Sequence, residues 1–319
     1  MNNVLFYIGG VSVTVPFLIR LFSVLCSLFF LLALRSARGE SLRPALLTAA
    51  LSLLPCLLLS RGLHWYCNPD QYRSLRDFLN PACGGWAVPG TVIGVLLTAF
   101  VLALRGHIRR PAAFFDSLVL AGLPGLALGK TACAFSTACR GKYTVTAALF
   151  QRWPFAEADG RLATWSLETV VYLILFLAFL PGALRRKGSG RRFMLLFGYF
   201  CALQVVLDST RYDALYLRSN GFVSLTQILC VCAVTGIFVL FSVRCVRKTG
   251  VTPRLVLAWV LFAAAAGTGG YMEYFVQRYG NRWVFAYAVQ GACFLLTAVL
   301  THLLCRQDSR RLLSTTDSQ

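Results

Sequence analysis

The feature that most constrains this chain is the return, with little pause, of continuous apolar stretches of bilayer-crossing length. A helix needs about 17 to 25 residues to cross about 30 Å of hydrocarbon. Stretches of that order fall near residues 11–34, 44–59, 86–104, 114–135, 167–184, 193–207, 225–243, 255–270 and 283–304. The runs are continuous instead of alternating, which excludes a transmembrane β-barrel. With 57% hydrophobic and 13% charged residues and a mean hydropathy of +0.66, lipid is the solvent, so a length of 319 residues does not imply two soluble domains. The expectation is an all-α polytopic membrane protein with about nine spans.

A formal charge of +19 raises the question of nucleic acid, and the position of the charges answers it. The connections at 35–43, 105–110, 185–192 and 244–254 and the tail from 306 are short and basic, with eighteen Arg and Lys against four acids when Asp116, just past the second, is included. The opposite set is far more balanced. By the positive-inside rule the basic set is cytoplasmic, the N-terminus outside and the C-terminus inside, a parity that nine spans satisfy. Basic loops beside a membrane read as topology signals and anionic-lipid contacts, so nucleic acid is discarded. MNNVLFYIGG lacks the charged region and cleavage site of a removable signal peptide, so the first span is expected to be retained. Most of the twelve cysteines lie inside spans as small hydrophobes, and no Cys or His spacing implies a metal or other cofactor. Cys67 and Cys83 share one outer loop, and Cys133 and Cys139 flank the next; free thiols or disulfides are both open.

Charges inside apolar spans need a reason, because one at the bilayer centre costs about 2.5 to 3.5 kcal/mol on insertion scales. Arg20, Lys130, Glu168 and Asp208, the last with Arg211 three residues on, all fall towards the outer side. Snorkelling from span ends is the plain alternative for any one of them. Their shared side favours a cavity with several cations and two carboxylates, suited to an anionic lipid headgroup. Gly122, Pro124, Gly125 and Gly129 predict a helix broken or closely packed near Lys130.

Several motifs share one order. GKTACAFSTACRGK at 129–142 is similar to a Gly-Arg pair followed by Gly-Asn-Phe-x-Asn-Gly-Glu and a later Gly-Arg. Lys130 falls on the first Arg, Cys133 and Ser136 on the two Asn, Ala138 on the Glu, Gly141 on the last Gly and Lys142 on the last Arg. Arg61, Tyr66 and Asn68 end the second span, LETVVYLILF carries Glu168, and GYFCALQVVLDSTRYD carries Asp208 and Arg211. SLTQILC places Gln227 at the start of the seventh span. In this order the chain resembles the bacterial prolipoprotein diacylglyceryl transferase family over residues 1–248. It departs from that family at Pro89–Gly90–Thr91, where the family has His-Gly-Gly, and at Pro16, where it has Tyr. The resemblance divides the chain into a core at 1–248, an added transmembrane hairpin at 249–306 and a cytoplasmic tail at 307–319.

The resemblance implies transfer of a diacylglyceryl group from phosphatidylglycerol to the lipobox cysteine thiol of a preprolipoprotein, recognised through its signal peptide, at the bacterial cytoplasmic membrane. The thiol must become a thiolate, and charge growing on the leaving phosphate must meet fixed donors. In this reading Arg61 and Arg211 hold the phosphate and Lys130 adds a positive point. Glu168 and Asp208 orient the cations, and Asn68, Ser136, Gly141 and Gln227 contact substrate. The one histidine on the outer side, His64, is the candidate base, although a lone histidine near a helix end is more often a packing residue. Two other readings stay open: an inactive family member that binds membrane lipid, and a small-solute transporter, against which no matched pair of interrupted helices stands in two halves.

Overall fold

The computed structural model describes residues 4–8, 11–72, 74, 77–78, 85–135, 139–146, 151–152, 155–185, 190–217, 220–280 and 282–316. Among them nine α-helices follow one another: α1 Val15–Ala37, α2 Arg43–Cys67, α3 Val88–Leu104, α4 Pro111–Thr131, α5 Thr164–Arg185, α6 Arg191–Ser209, α7 Leu225–Thr249, α8 Pro253–Tyr279 and α9 Trp283–Thr316. Each expected span falls on one helix. Eight are long and apolar enough to cross a bilayer, and the 17 residues of α3 stand at the short end of that range. The burial pattern is that of a protein in lipid. Phe17, Leu21, Phe22 and Phe29 of α1 are exposed, while Arg61, Asp116, Lys130 and Glu168 are buried.

Two ends differ from expectation. Residues 11–14 do not begin the first helix; they form strand β2 (Val11–Thr14), paired antiparallel with β1 (Val4–Ile8), Val4 opposite Thr14 and Ile8 opposite Val11. The helix starts at Val15 because the Thr14 hydroxyl accepts the Phe17 N–H at 3.4 Å and Pro16 occupies the first turn, where a missing N–H costs nothing. Helix α8 continues past residue 270 to Tyr279, carrying Glu273 with it. A second hairpin, β3 (Tyr216–Leu217) with β4 (Asn220–Ser224), precedes α7.

The chain forms two compact units, Met1–Phe193 with Arg211–Thr226, and Met194–Thr210 with Gln227–Gln319. In the first, helices approach through glycines four residues apart. A Cβ on Gly125 would lie 1.8 Å from Ser27 Oγ, and one on Gly90 would lie 2.5 Å from the Leu59 carbonyl. Gly129 faces Ser23 and Gly94 faces Cys56, so α4 runs antiparallel to α1, and α3 antiparallel to α2. Helix α4 is therefore closely packed at its glycines and unbroken through Pro124. Some of the basic residues read as topology signals also close helix ends. Arg38 donates to the Ala183 carbonyl of α5 at 2.6 Å and to Ser117 Oγ at 2.7 Å. Asp116 accepts the N–H groups of Gly190 at 3.0 Å and Phe193 at 2.7 Å, at the start of α6.

The second unit has a core of α6 to α9 side chains, with the Phe238 and Phe262 rings stacked 4.1 Å apart.

Candidate functional site

Helices α4 and α5 pack against each other, and Thr169 Oγ1 donates to the Ala127 carbonyl at 3.2 Å across them. That register sets Lys130 Nζ 2.5 Å from Glu168 Oε2, with side chains 6% and 0% exposed. Pairing offsets the cost that either charge alone would carry at this depth. Beyond the helix end, a 3-10 turn over Ala132–Phe135 brings the Cys133 sulfur to 2.7 Å from that of Cys139, both buried thiols.

Among the described residues Cys139 is the one non-glycine with a left-handed backbone, at φ 61°. Its N–H donates to Asp213 Oδ2 at 2.9 Å, and Asp213 Oδ1 accepts from Arg211 Nε at 3.1 Å and pairs with Nη2 at 3.0 Å. Gly141 forms a bridge to Arg211 and donates its N–H to the Leu162 carbonyl at 2.9 Å; a Cβ there would lie 2.5 Å from that oxygen. The Cys139 thiol is pulled from 9.0 down to about 7, chiefly because Cys133 donates a hydrogen bond to it. Arg211 and Lys130 add to the pull, and burial opposes it. Four expected site residues, Lys130, Gly141, Glu168 and Arg211, are thus gathered around the end of α4. Ser136 lies outside the described residues.

A second cluster forms at the end of α2. Arg61 is 1% exposed and donates to three backbone carbonyls of the connection that follows: Phe78 at 3.0 Å, Gly85 at 3.1 Å and Asp77 at 2.9 Å. Its guanidinium also lies 5.1 Å from the Tyr72 ring centre and 5.2 Å from that of Trp86. His64, one turn on, places Nδ1 2.8 Å from the Tyr72 hydroxyl. Gly85, at φ +75°, leaves no room beside that ring, since a Cβ would come within 2.5 Å of it. Asn68 closes α2 by donating its N–H to the His64 carbonyl at 2.9 Å. Arg61 and His64 therefore clasp the α2–α3 connection, and Asn68 ends the helix before it. Strand β3 touches α2, and there Lys142 Nζ meets the Tyr216 hydroxyl at 2.5 Å. Cys83, the expected partner of Cys67, lies outside the described residues.

The remaining two expected residues belong to the second unit. Asp208 on α6 is 1% exposed. Gln227 on α7 donates through Nε2 to the Val205 carbonyl at 3.2 Å and to Glu273 Oε2 at 3.1 Å. Glu273 also accepts from Ser209 Oγ, Gln277 Nε2 and Gln290 Nε2, each at 2.8 Å, and the Tyr287 hydroxyl donates to the Ser209 carbonyl at 3.1 Å. Four donors thus hold one buried carboxylate. The sequence reading missed Glu273 because it ended the eighth span at 270. Its signal was present in Glu273 and Gln277, four residues apart on one helix face, and in Gln290 inside an otherwise apolar run.

The family model described as prolipoprotein diacylglyceryl transferase matches residues 3–243. No curated protein matches the chain. The matched region contains both clusters of the first unit and ends within α7, so Glu273 and its neighbours on α8 and α9 lie beyond it.

Proposed function

Because this multi-pass chain belongs to the prolipoprotein diacylglyceryl transferase family, we propose that it moves a diacylglyceryl group from phosphatidylglycerol to the lipobox cysteine of a preprolipoprotein. The reaction is placed at the outer side of a bacterial cytoplasmic membrane, with the N-terminus outside and the C-terminus in the cytoplasm. The substrate thiol loses its proton, its sulfur bonds to the glycerol carbon, and the bond from that carbon to the phosphate oxygen breaks. Glycerol phosphate leaves with the bonding electrons.

The observation that carries this reading is the gathering of two held cations at one helix end around the family signature, Lys130 on Glu168 and Arg211 on Asp213. Their fixed N–H donors meet the negative charge that grows on the leaving phosphate. Glu168 orients Lys130. Arg61, with donors directed at three loop carbonyls, acts on the phosphate through the connection it holds. His64 remains the candidate base, held by Tyr72. Asn68, Ser136, Gly141 and Gln227 are the proposed substrate contacts, and Asp208 is a proposed acid that orients a cation.

The test is transfer of labelled diacylglyceryl from phosphatidylglycerol to a lipobox peptide. Wild type transfers, and Arg211→Ala falls by about 10²–10³-fold, the usual effect of losing one donor to developing charge. Undiminished transfer by Arg211→Ala removes Arg211 from the mechanism. One observation favours a second reading, a lipid-binding member without chemistry: Pro89, Cys133 and Ala138 stand where the family carries His, Asn and Glu. Retained phosphatidylglycerol binding with no transfer by wild type selects it.

A further inference from the structure

The thiols of Cys133 and Cys139 have no part in the transfer chemistry above, yet they are built into its framework. Their sulfurs are 2.7 Å apart, and both residues are more than nine-tenths buried. A covalent sulfur–sulfur bond is about 2.05 Å long, so a small movement closes the pair. The two sulfurs come from two separate segments. Cys133 sits in the 3-10 turn that caps α4, and Cys139 in the segment that bridges to Arg211 through Gly141. The left-handed backbone of Cys139 turns that segment back towards the helix end, and its N–H is anchored on Asp213, the carboxylate that also holds Arg211. Another neighbouring thiol pair, Cys201 with Cys230, lies within spans, away from aqueous oxidants.

We propose that Cys133 and Cys139 are a redox site, closing to an intramolecular disulfide that fastens the signature segment to the end of α4. The oxidant is a disulfide donor of the kind that oxidises extracytoplasmic thiols. The Cys139 thiolate attacks one sulfur of the donor disulfide and expels a thiolate. The Cys133 sulfur then attacks Cys139, expelling the donor's second sulfur. The two cysteines lose two protons and two electrons in all, and the donor disulfide is reduced to two thiols. The bond ties the end of α4, which carries Lys130, to the segment whose Cys139 N–H is held by Asp213. This inference does not depend on the transferase reading, because the thiol chemistry stands whether or not the site turns over.

Cleavage after Lys130 and Arg140 isolates both cysteines in one peptide, residues 131–140. The full-length protein, in detergent with bound lipid, is equilibrated with mixtures of reduced and oxidised glutathione. Free thiols are then blocked with a maleimide under denaturing conditions, and the peptide is weighed. The expected result is an unblocked peptide lighter by two hydrogens, which takes up two maleimides only after reduction. In Cys133→Ala the remaining Cys139 carries glutathione or one maleimide. Two maleimides on the wild-type peptide at every glutathione ratio, or separate glutathione adducts on both sulfurs, overturn the proposal.

Discussion

At the scale of single residues, the Lys130–Glu168 pair decides most. Removing one member strands the other as a buried charge, at a cost of about 3–5 kcal/mol, whereas removing both leaves only a packing change. Lys130→Met is therefore expected to lower the unfolding midpoint in detergent far more than the double variant Lys130→Met with Glu168→Met. Equal losses would place the pair in water. Cys139 adds a pH signature. Its pKa of about 7, below the ordinary 9.0, makes thiolate its main form above neutrality. Its alkylation in the reduced protein should rise as pH passes through about 7 and level off beyond it. The charged groups around it are Lys130, Arg211, Glu168 and Asp213. Cys133→Ala removes the leading cause of the shift, so the rise should move to higher pH; an unmoved profile would assign the shift to the cations. Both members of the ion pair were legible as charges out of place in apolar runs. Their pairing was not, because it depends on how α4 and α5 are set side by side.

At the scale of elements, the glycine spacing of α4 and α3 was visible in the chain, while the faces it meets were not. Gly125 presses on Ser27, and Gly122 has nothing within 4 Å. Gly125→Leu should therefore cost about 1–3 kcal/mol through overpacking, or more where α1 has to move away. Gly122→Ala should leave the unfolding temperature in detergent almost unchanged. Matching effects at the two sites would mean that α1 does not pack there. The N-terminal hairpin shows the opposite failure. VLFYIGGVSVT holds Gly-Gly between two β-favouring runs, a hairpin signal, but its apolar residues merge with the span that follows. Hydropathy alone cannot separate strand from helix in so short a run.

At the scale of the whole molecule, the family match stops at residue 243, but the polar interior of the second unit does not. Glu273 on α8 and Gln290 on α9 hold Ser209 on α6 and Gln227 on α7. The added helices thus complete the unit they join. Glu273→Leu leaves several buried donors unpaired, each worth about 1–3 kcal/mol, while Glu273→Gln keeps the shape and an acceptor. The leucine variant should lose protease resistance across α6 to α9, with glutamine milder. A chain ending at residue 248 should lose resistance in α6 and α7, and full resistance there would show the hairpin to be dispensable. The sequence by itself determined the solvent, the apolar helical spans and the family, because all three rest on composition, run length and the order of motifs along the chain. Only the tertiary structure decided which charges pair, that Arg61 turns to its own loop, and that Glu273 is buried. Those outcomes depend on helix faces meeting across long separations in sequence, where the relevant distances are set by packing.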